Sequence, residues 1–371
     1  MARPTRRLRS LRDGLHWAVT TVLLAAIGTA FIATWPNLGA VRSHVDTSLL
    51  HDAAARRALT KELVTTPFTE ALARWQRQAS WLLLRDLGPE VKRGEENWLF
   101  LDEELQLHRD RAAHATARAE AVSAIARALA DRHIALLVVV VPDKSRIEAA
   151  HLGTLRRPPQ LDARVRDWTA KLGAANVATL DLSPALAGAS PSPFLHTDTH
   201  WNERGSWLAA HAVAQRLQEM HALQGEPVPS VVVSKQVREV HGDLLHLAGI
   251  DGLPASLQPA PDTDAQSVVE TRNDSTDLFG TTAVPSTVLI GTSFSRRSNF
   301  VSFLQLASRA LVADFAMDGG DFSGAARRYF GGEDFVKTPP RTIVWEVPER
   351  AIEAPIGETE AQWLRQPLPP R

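Results

Sequence analysis

Apolar residues gather in four short stretches, which are separated by amphipathic segments of helical length. The stretch at residues 134–141 is β-branched and apolar at consecutive positions, which is typical of a central parallel strand buried on both faces. The other stretches lie at residues 177–182, 287–290 and 342–347. Helical patterns fill the intervals, at residues 103–133, 161–172, 205–220 and around Phe300 and Leu304. Strands that alternate with helices predict a three-layer α/β domain with a mostly parallel sheet.

The beginning of the chain has a different pattern, which is typical of a membrane anchor. Five arginines in the first twelve residues precede a stretch, residues 14–41, that has no Lys, Arg, Asp or Glu. Its apolar centre at residues 17–35 is about as long as a helix that crosses a bilayer. The arginines predict that the tip stays in the cytoplasm and that the rest of the chain lies outside it. A cleaved signal peptide is the alternative, which the long apolar run disfavours.

The remaining sequence divides by composition and by turn residues. We expect an anchor at residues 1–40 and a stem of two helices at 41–95, where apolar positions recur at helical spacing and Pro67 interrupts the pattern. A main domain follows at 96–350, entered by a short strand near residues 97–101, with an insertion at 221–285 where Pro and Gly are frequent. The Pro- and Glu-rich tail at 351–371 predicts loose order.

Composition excludes several classes of function. The 371 residues contain no cysteine, which rules out disulfides, thiolate catalysis and zinc sites built on cysteine. The formal net charge of −1 gives no global field that favours nucleic acid, so we expect no nucleic-acid partner. The hydrophobic content of 44% and charged content of 22% are ordinary for a folded globular protein.

Acid–base chemistry is indicated first by the stretch at residues 196–205, which joins a Pro/Ser-rich loop to an amphipathic helix. Asp198 and His200 are two positions apart, close enough for the carboxylate to orient the imidazole. Asp198 as a helix cap, a satisfied polar turn and metal ligation are the alternatives. Metal binding needs further ligands, and His196, His211, His241 and His246 show no tight ligand spacing. We expect no metal and no cofactor.

A nucleophile is indicated almost a hundred residues later, where the strand at 287–290 runs into Gly291, Thr292 and Ser293. Glycine allows the sharp turn, and a helix that starts there would point free N–H groups and its positive dipole end towards the serine. A serine that merely caps this helix, Ser293 or Ser295, is the alternative. Both segments follow predicted strands at the carboxyl edge of the sheet, where α/β proteins bind ligands. Together they predict a Ser-His-Asp site for acyl transfer.

These residues resemble a known family. The stretch Asp198-Thr199-His200-Trp201-Asn202 with the downstream Gly291-Thr292-Ser293-Phe294-Ser295 is similar to the alginate O-acetyltransferase family, the SGNH-hydrolase-like acetyltransferases of bacterial exopolysaccharide modification. Asn97-Trp98-Leu99-Phe100, Val141-Pro142-Asp143-Lys144 and the run from Val344 to Arg350 agree with it. The resemblance covers residues 97–350. One departure is Phe294, where relatives often carry a tyrosine, and only the backbone N–H of Ser293 is identified as an oxyanion donor.

The resemblance implies Ser293 as nucleophile, His200 as general base and Asp198 as its orienting partner. It also implies an SGNH-hydrolase-like fold and acetyl transfer to polysaccharide hydroxyls through an acetyl-serine. A periplasmic acetylesterase and a non-catalytic glycan-binding scaffold of an envelope complex remain alternatives. The family's setting implies a single-pass protein of the bacterial inner membrane with its domain in the periplasm. A membrane-bound O-acyltransferase would then be the partner that supplies acetyl groups.

Four further residues near these motifs are predicted to bind the substrate: Trp201, Asn202, Lys144 and Arg204. Trp201 could stack on a sugar ring, and Lys144 and Arg204 could pair with an anionic sugar. The alternatives are a buried Trp201 at the start of the helix and cations that are merely solvated.

Overall fold

The computed structural model describes Thr21, Gly28 and residues 67–224, 227–271, 285–366 and 368. The expected membrane anchor at 17–35 therefore lies outside the described residues, apart from Thr21 and Gly28. Where the structure does describe the chain, no helix is both long enough and apolar enough to cross a membrane. The chain forms two compact units, residues 1–86 and residues 87–371.

In the first unit the structure describes one long helix, α1 (Pro67–Leu84). Proline has a fixed φ and no N–H, so it suits the first position of a helix, where the N–H has no intrahelical acceptor. Pro67, at which we expected a helical pattern to break, is accordingly the first residue of α1.

The second unit alternates strands and helices over most of its length. Its strands are β1 (Val91–Arg93), β2 (Leu99–Leu101), β3 (Ala135–Val141), β4 (Ala178–Asp181), β5 (Ser230–Val240), β6 (Asp262–Thr271), β7 (Thr287–Ile290), β8 (Val312–Asp314) and β9 (Thr342–Pro348). Its α-helices are α2 (Arg111–Ala130), α3 (Lys144–Ile147), α4 (Arg164–Ala174), α5 (Ser183–Leu186), α6 (Glu203–Glu219), α7 (Asp243–Leu247), α8 (Ser293–Arg296), α9 (Phe300–Ser308), α10 (Gly324–Phe330), α11 (Glu333–Lys337) and α12 (Glu358–Arg365). Short 3₁₀ turns lie at Asp102–Leu105, Ala149–His151, Pro159–Leu161, Ala255–Leu257 and Glu349–Ile352.

A parallel sheet with the strand order β4-β3-β9-β7-β8 forms the centre of this unit. The α/β class and the parallel sheet predicted from the apolar stretches are confirmed. The edge strand β8 was not predicted, because its three residues are too short to give a periodic signal. Parallel strands bring their carboxyl ends to one edge, so the residues after β3, β4, β7 and β9 meet there.

The sheet is buried on both faces. Alternate residues of β3 belong to two separate apolar cores, Leu136, Val138 and Val140 to the first and Leu137, Val139 and Val141 to the second. Residues of α2, α4 and α10 complete the first core, and residues of α6 and α9 complete the second. Side chains of a strand alternate between its faces, so this arrangement explains why the sequence at 134–141 is apolar at consecutive positions.

Two antiparallel pairs lie outside the central sheet. β1 pairs with β2, and the long strands β5 and β6 pair with each other, with a register shift between Val232 and Ser234. β5 and β6 lie in the stretch that we expected to be an insertion. Much of this hairpin is exposed, including Val231, Val237 and Val268.

A buried arginine holds the C-terminal segment against α2. Arg118 is 2% exposed, and its guanidinium donates to the carbonyl oxygens of Ile352 and Ala354 at 3.2 and 2.6 Å. The same group forms a two-point bond to Glu360, at 2.9 and 2.8 Å. Glu360 belongs to α12, a helix within the stretch for which we expected loose order. A bidentate arginine–carboxylate pair fixes orientation as well as distance.

Replacing Arg118 tests how much this anchor contributes. Arg118→Met keeps most of the apolar stem but leaves the carboxylate and two carbonyls without their donor, so the free energy of unfolding should fall by about 2–4 kcal/mol. Urea unfolding measures it. Arg127→Met on the same helix is the control, because Arg127 is exposed and should change stability by less than about 0.5 kcal/mol. Equal stability of both variants would show that the guanidinium does not anchor the segment.

Candidate active site

Ser293 is presented by a tight turn at the carboxyl end of β7. The strand ends at Ile290, and Gly291 and Thr292 lead directly into Ser293, the first residue of α8. Glu346 of the neighbouring strand β9 holds this turn, because its carboxylate accepts the Thr292 N–H at 2.6 Å and the hydroxyls of Thr292 and Ser295 at 3.0 Å. Burial raises the pKa of Glu346, and the Thr292 and Ser295 hydrogen bonds only partly offset this effect. Glu346 thus fixes the turn, while Ser293 itself remains partly exposed.

The helix after the serine is shorter than expected. α8 spans only Ser293–Arg296, and α9 begins at Phe300. A single turn sums few peptide dipoles, so the helix-dipole contribution that we expected at Ser293 is small. The cap of α8 is Thr292, whose hydroxyl accepts the Phe294 N–H at 3.3 Å. Neither Ser293 nor Ser295 serves as the cap. Within the described part of the chain, the Ser293 N–H has no acceptor, so it is left to bind a ligand oxygen.

Asp198 and His200 lie on the loop that precedes α6 and meet Ser293 across the carboxyl edge of the sheet. The Ser293 Oγ is 2.7 Å from His200 Nε2, and His200 Nδ1 is 2.7 Å from Asp198 Oδ1. A carboxylate only accepts, so Nδ1 carries the imidazole proton and Nε2 is left to accept from the serine hydroxyl. His200 and Asp198 are 4% and 5% exposed. The three side chains therefore form a continuous hydrogen-bonded line that ends at an accessible hydroxyl.

A second carboxylate, Asp243, lies at the same imidazole. Its Oδ2 is 3.3 Å from His200 Nδ1, and its Oδ1 accepts the Thr199 N–H and hydroxyl at 2.7 and 3.0 Å. The Asp243 N–H in turn donates to Asp198 Oδ2 at 3.0 Å. Asp243 thus holds Asp198 through its main chain and faces the imidazole through its side chain.

The two carboxylates set the proton affinity of His200. Burial alone would lower the pKa of His200, but the hydrogen bonds and negative charges of Asp198 and Asp243 outweigh burial and raise the pKa above its usual value of 6.5. Burial also opposes ionisation of Asp243, yet its bonds to His200 and Thr199 hold the pKa of that carboxyl at about 2. The site therefore favours a positive charge on the imidazole, which is the state a general base reaches after it takes a proton.

Within the described residues, His200 and the two carboxylates beside it form a group that could hold a metal ion. One ligand atom from each of Asp198, His200 and Asp243 lies within 4.8 Å of the others. A metal would need the Nδ1 lone pair of His200, which the proton shared with Asp198 uses. The sequence left metal ligation open for the Asp-x-His pair. Because both arrangements need Nδ1 of His200, a bound metal and the hydrogen-bonded line to Ser293 exclude each other.

Lys144 does not lie where a substrate could meet it. Its ammonium is buried and donates to the main-chain carbonyl oxygens of Leu99, His196 and Asp198, at 2.6, 2.9 and 2.9 Å. An ammonium has three protons, and all are used. Burial lowers the pKa of Lys144 to about 8 despite the surrounding acidic groups. This corrects the expectation of substrate binding: Lys144 clamps the loop that carries Asp198.

Two of the other predicted substrate residues also have structural roles. Trp201 is fully buried, with its ring stacked on Phe300 at 5.2 Å and edge-on to Phe294 at 5.1 Å, so it cannot offer a face to a sugar. Asn202 caps α6, since its side-chain oxygen accepts the Gly205 N–H at 3.0 Å. Arg204 is exposed and lines a cavity whose lining includes neither Ser293 nor His200.

Sequence reasoning missed Asp243 and Glu346, and only Glu346 leaves a signal in the sequence. Glu346 is a charged residue in an otherwise apolar strand, and such residues are rarely buried without partners. Asp243 follows Gly242, where a Cβ would come within 1.9 Å of the Thr197 carbonyl oxygen. The glycine therefore permits the close approach of two loops.

Comparisons with known proteins show which family the chain resembles. Residues 91–349 match the family model for the SGNH hydrolase-like domain of the acetyltransferase AlgX. The chain is 32% identical over 296 residues to the probable alginate O-acetylase AlgJ of Pseudomonas putida, covering 75% of this chain and 74% of that protein. It is 28% identical over 373 residues to the protein of the same name from Pseudomonas fluorescens, covering 98% and 92%. The solved O-acetyltransferase domain of Pseudomonas putida AlgJ superposes with a TM-score of 0.66 at 28% identity, covering 75% of this chain and 98% of that domain.

Gly291 should tolerate no side chain. A Cβ there would lie 2.6 Å from both Glu346 Oε2 and Ser295 Oγ, so Gly291→Ala should lower the free energy of unfolding by about 1–3 kcal/mol. Gly173→Ala is the matched control, because nothing lies within 4 Å of its added Cβ. Gly173 lies in the last turn of α4, where alanine should be neutral or should stabilise the helix by up to about 0.5–1 kcal/mol. Urea unfolding of both variants measures the difference. A neutral Gly291→Ala would mean that Glu346 does not pack against the turn as described.

The role of Asp243 can be read from the titration of His200. NMR of the chain labelled with ¹³C-histidine, with the His200 signal assigned through His200→Gln, should give a His200 pKa above 6.5. In Asp243→Asn the pKa should be lower than in the wild type, because one negative charge beside Nδ1 is gone. Asp251→Asn is the control, since Asp251 pairs with the exposed His246. A His200 pKa that is the same in wild type and Asp243→Asn would exclude Asp243 as a partner of the imidazole.

Proposed function

The chain belongs to the family of SGNH hydrolase-like domains of the AlgX acetyltransferase type, and from this membership we propose that it is an O-acetyltransferase acting on polysaccharide hydroxyls. The observation that carries the proposal is the line of 2.7 Å contacts from Ser293 through His200 to Asp198. A hydroxyl, an imidazole and a carboxylate in that order form an activated nucleophile with its base and orienting group.

In the first step His200 Nε2 takes the proton of Ser293 Oγ as that oxygen attacks the carbonyl carbon of an acetyl donor. The carbonyl oxygen gains negative charge, and the free N–H of Ser293 is the donor placed to bind it. The bond from the carbonyl carbon to the departing oxygen then breaks, and His200 gives its proton to that oxygen. The products are an acetyl ester of Ser293 and the free donor alcohol.

In the second step a sugar hydroxyl replaces the departed alcohol. His200 takes its proton, the sugar oxygen attacks the acetyl carbon of the ester, and Ser293 Oγ leaves with the proton from His200. Asp198 and Asp243 stabilise the imidazolium that exists between the two proton transfers. Water can perform the same attack, so transfer requires a sugar that occupies the site and excludes water.

The acceptor class is proposed from the relatives. Proteins that share 28% and 32% of aligned residues with the chain carry the name probable alginate O-acetylase, which supports an alginate-like acceptor. The arginine cluster and the uncharged run at residues 14–41 support an inner-membrane anchor with the domain in the periplasm. Acetyl-CoA is a cytoplasmic donor, so this setting calls for a membrane-bound O-acyltransferase that passes acetyl groups outward.

A chromogenic acetyl ester tests the catalytic roles. The purified full-length chain should cleave it and become acetylated at Ser293, as peptide mass spectrometry will show. Ser293→Ala and His200→Ala should each lower the turnover rate by about 1,000-fold or more. Ser302→Ala is the control, because Ser302 lies in α9 outside the site. Full activity of both site variants would refute the proposal.

The acceptor separates a transferase from an esterase. With an acidic oligosaccharide present, a transferase should yield acetylated sugar at the expense of free acetate. Free acetate alone would indicate an acetylesterase. The absence of any cleavage, with sugar binding retained, would indicate a non-catalytic glycan-binding scaffold.

A further inference from the structure

The base of the β5–β6 hairpin lies against the catalytic loop, residues 196–200, although most of the hairpin is exposed. Asp262 is the first residue of β6 and pairs with Val240, the last residue of β5. The residues of β5 between its two ends are all exposed, whereas Asp262 is 4% exposed. Charged side chains are rarely buried without partners, and the partners of Asp262 belong to the catalytic loop.

Four hydrogen bonds from the catalytic loop converge on the Asp262 carboxylate. Its Oδ1 accepts the His196 N–H at 2.7 Å and lies 2.6 Å from His196 Nδ1. Its Oδ2 accepts the N–H and the hydroxyl of Thr197 at 2.8 and 2.6 Å. Burial opposes ionisation of Asp262, but the bonds from His196 and Thr197 outweigh burial and hold the pKa of that carboxyl at about 2. The group therefore stays charged, and a charged acceptor forms stronger hydrogen bonds than a neutral one.

These bonds fix the main chain directly before Asp198. Two of the four donors are main-chain N–H groups, and they belong to the two residues that precede Asp198. The Thr197 hydroxyl also accepts the Gly242 N–H, and the Thr197 carbonyl oxygen accepts the Leu244 N–H, both at 3.2 Å. Thr197 is thus held by both sides of the hairpin base: by Asp262 at the start of β6 and by the segment that follows β5.

The other restraints on the catalytic loop act at different atoms. The Lys144 ammonium donates to the carbonyl oxygens of His196 and Asp198. Asp243 accepts the Thr199 N–H at 2.7 Å. Asp262 instead accepts N–H groups at the start of the loop, where neither Lys144 nor Asp243 binds one. The three side chains therefore restrain the loop in complementary ways.

Glu203 gives a comparison within the same molecule. It is also 4% exposed, and its carboxylate accepts the N–H and hydroxyl of Ser267 at 2.6 and 2.9 Å and the Asn299 amide at 2.6 Å. Glu203 thus ties β6 to α6, as Asp262 ties β6 to the catalytic loop, but its own partners lie outside that loop. Loss of either carboxylate should weaken the attachment of the hairpin, whereas only loss of Asp262 should release the loop.

We infer that Asp262 is a positioning residue for the reaction at Ser293. It fixes the main chain of the catalytic loop, and through that main chain it keeps Asp198 and His200 aimed at the serine. The base of the exposed hairpin is in this way part of the active centre. The inference rests on the proposed function for the reaction, whereas the hold on the loop needs no catalysis. Its consequence is that a residue outside the line from Ser293 to Asp198 sets the rate at which the serine reacts.

Labelling of the full-length chain with an arylsulfonyl fluoride measures how strongly Ser293 is activated. Asp262→Asn keeps the shape of the side chain, but its NH₂ group cannot accept, so part of the loop's donors lose their acceptor. The labelling rate constant should fall by at least about tenfold, because a displacement of about 1 Å can cost about a hundredfold in rate. Urea unfolding gives the fraction of each variant that is folded under the labelling conditions, and the rate constants are compared per folded chain.

Glu203→Gln is the matched control. It should lower the midpoint of urea unfolding, as Asp262→Asn does, yet its labelling rate should stay within about threefold of wild type. Thr197→Val removes one donor to Asp262 while it keeps the side-chain shape, and it should slow labelling by about threefold or more. A wild-type rate in Asp262→Asn, or equal slowing in Asp262→Asn and Glu203→Gln, would overturn the positioning role. If Asp262→Asn does not fold, a wild-type rate in Thr197→Val would overturn it.

Hydrogen exchange adds a readout that is independent of catalysis. Amides in peptides that cover the catalytic loop should exchange at least about tenfold faster in Asp262→Asn than in Glu203→Gln. Faster exchange in Asp262→Asn, with no labelling of Ser293 in wild type, would retain the hold on the loop and refute the transferase. Labelling of Ser293 in wild type, with equal exchange and equal labelling rates in the two variants, would retain the serine centre and refute the positioning role.

Discussion

The hydrogen bond between Ser293 and His200 joins two segments that are 93 residues apart in the sequence. At 2.7 Å this contact leaves little freedom for either partner. The chemistry requires the hydroxyl and the imidazole to stay aligned, because a displacement of about 1 Å can cost about a hundredfold in rate. The surrounding structure can be understood as a set of restraints on the two ends of this bond.

Each end is restrained by polar side chains that are anchored on the central sheet or on neighbouring loops. On the histidine side, the Lys144 ammonium donates to the carbonyl oxygen of Asp198, and Asp243 is hydrogen-bonded to Asp198 and Thr199. On the serine side, Glu346 binds Thr292 and Ser295. Lys144, Glu346 and Ser293 all follow or belong to central strands, so the sheet transmits its rigidity to the site. Burial of these groups is costly unless every polar atom is paired, and here the pairing defines the loop geometry.

Much of the architecture could be predicted because its cause is local. Residues 134–141 are apolar at consecutive positions because a central strand of a two-sided sheet has no solvent face. β8 could not be predicted, since three residues carry no period. At the site, Asp198, His200 and Ser293 could be proposed from spacing and turn chemistry. The directions in which the Lys144 and Trp201 side chains point could not be predicted, because a long cation or an indole near a motif can point inward or outward with the same sequence. Asp243 depended on a contact between loops that only the fold creates.

The most direct test of the account is whether Ser293 is the activated serine and whether its activation depends on His200. The full-length chain should be treated with an arylsulfonyl fluoride, which reacts with nucleophilic serines, and the modified peptides should be mapped by mass spectrometry over a series of times. Ser293 should be labelled and Ser295 should not, and His200→Ala should slow the labelling of Ser293 by about 100-fold or more. Labelling of Ser293 at the same rate in wild type and His200→Ala would contradict it.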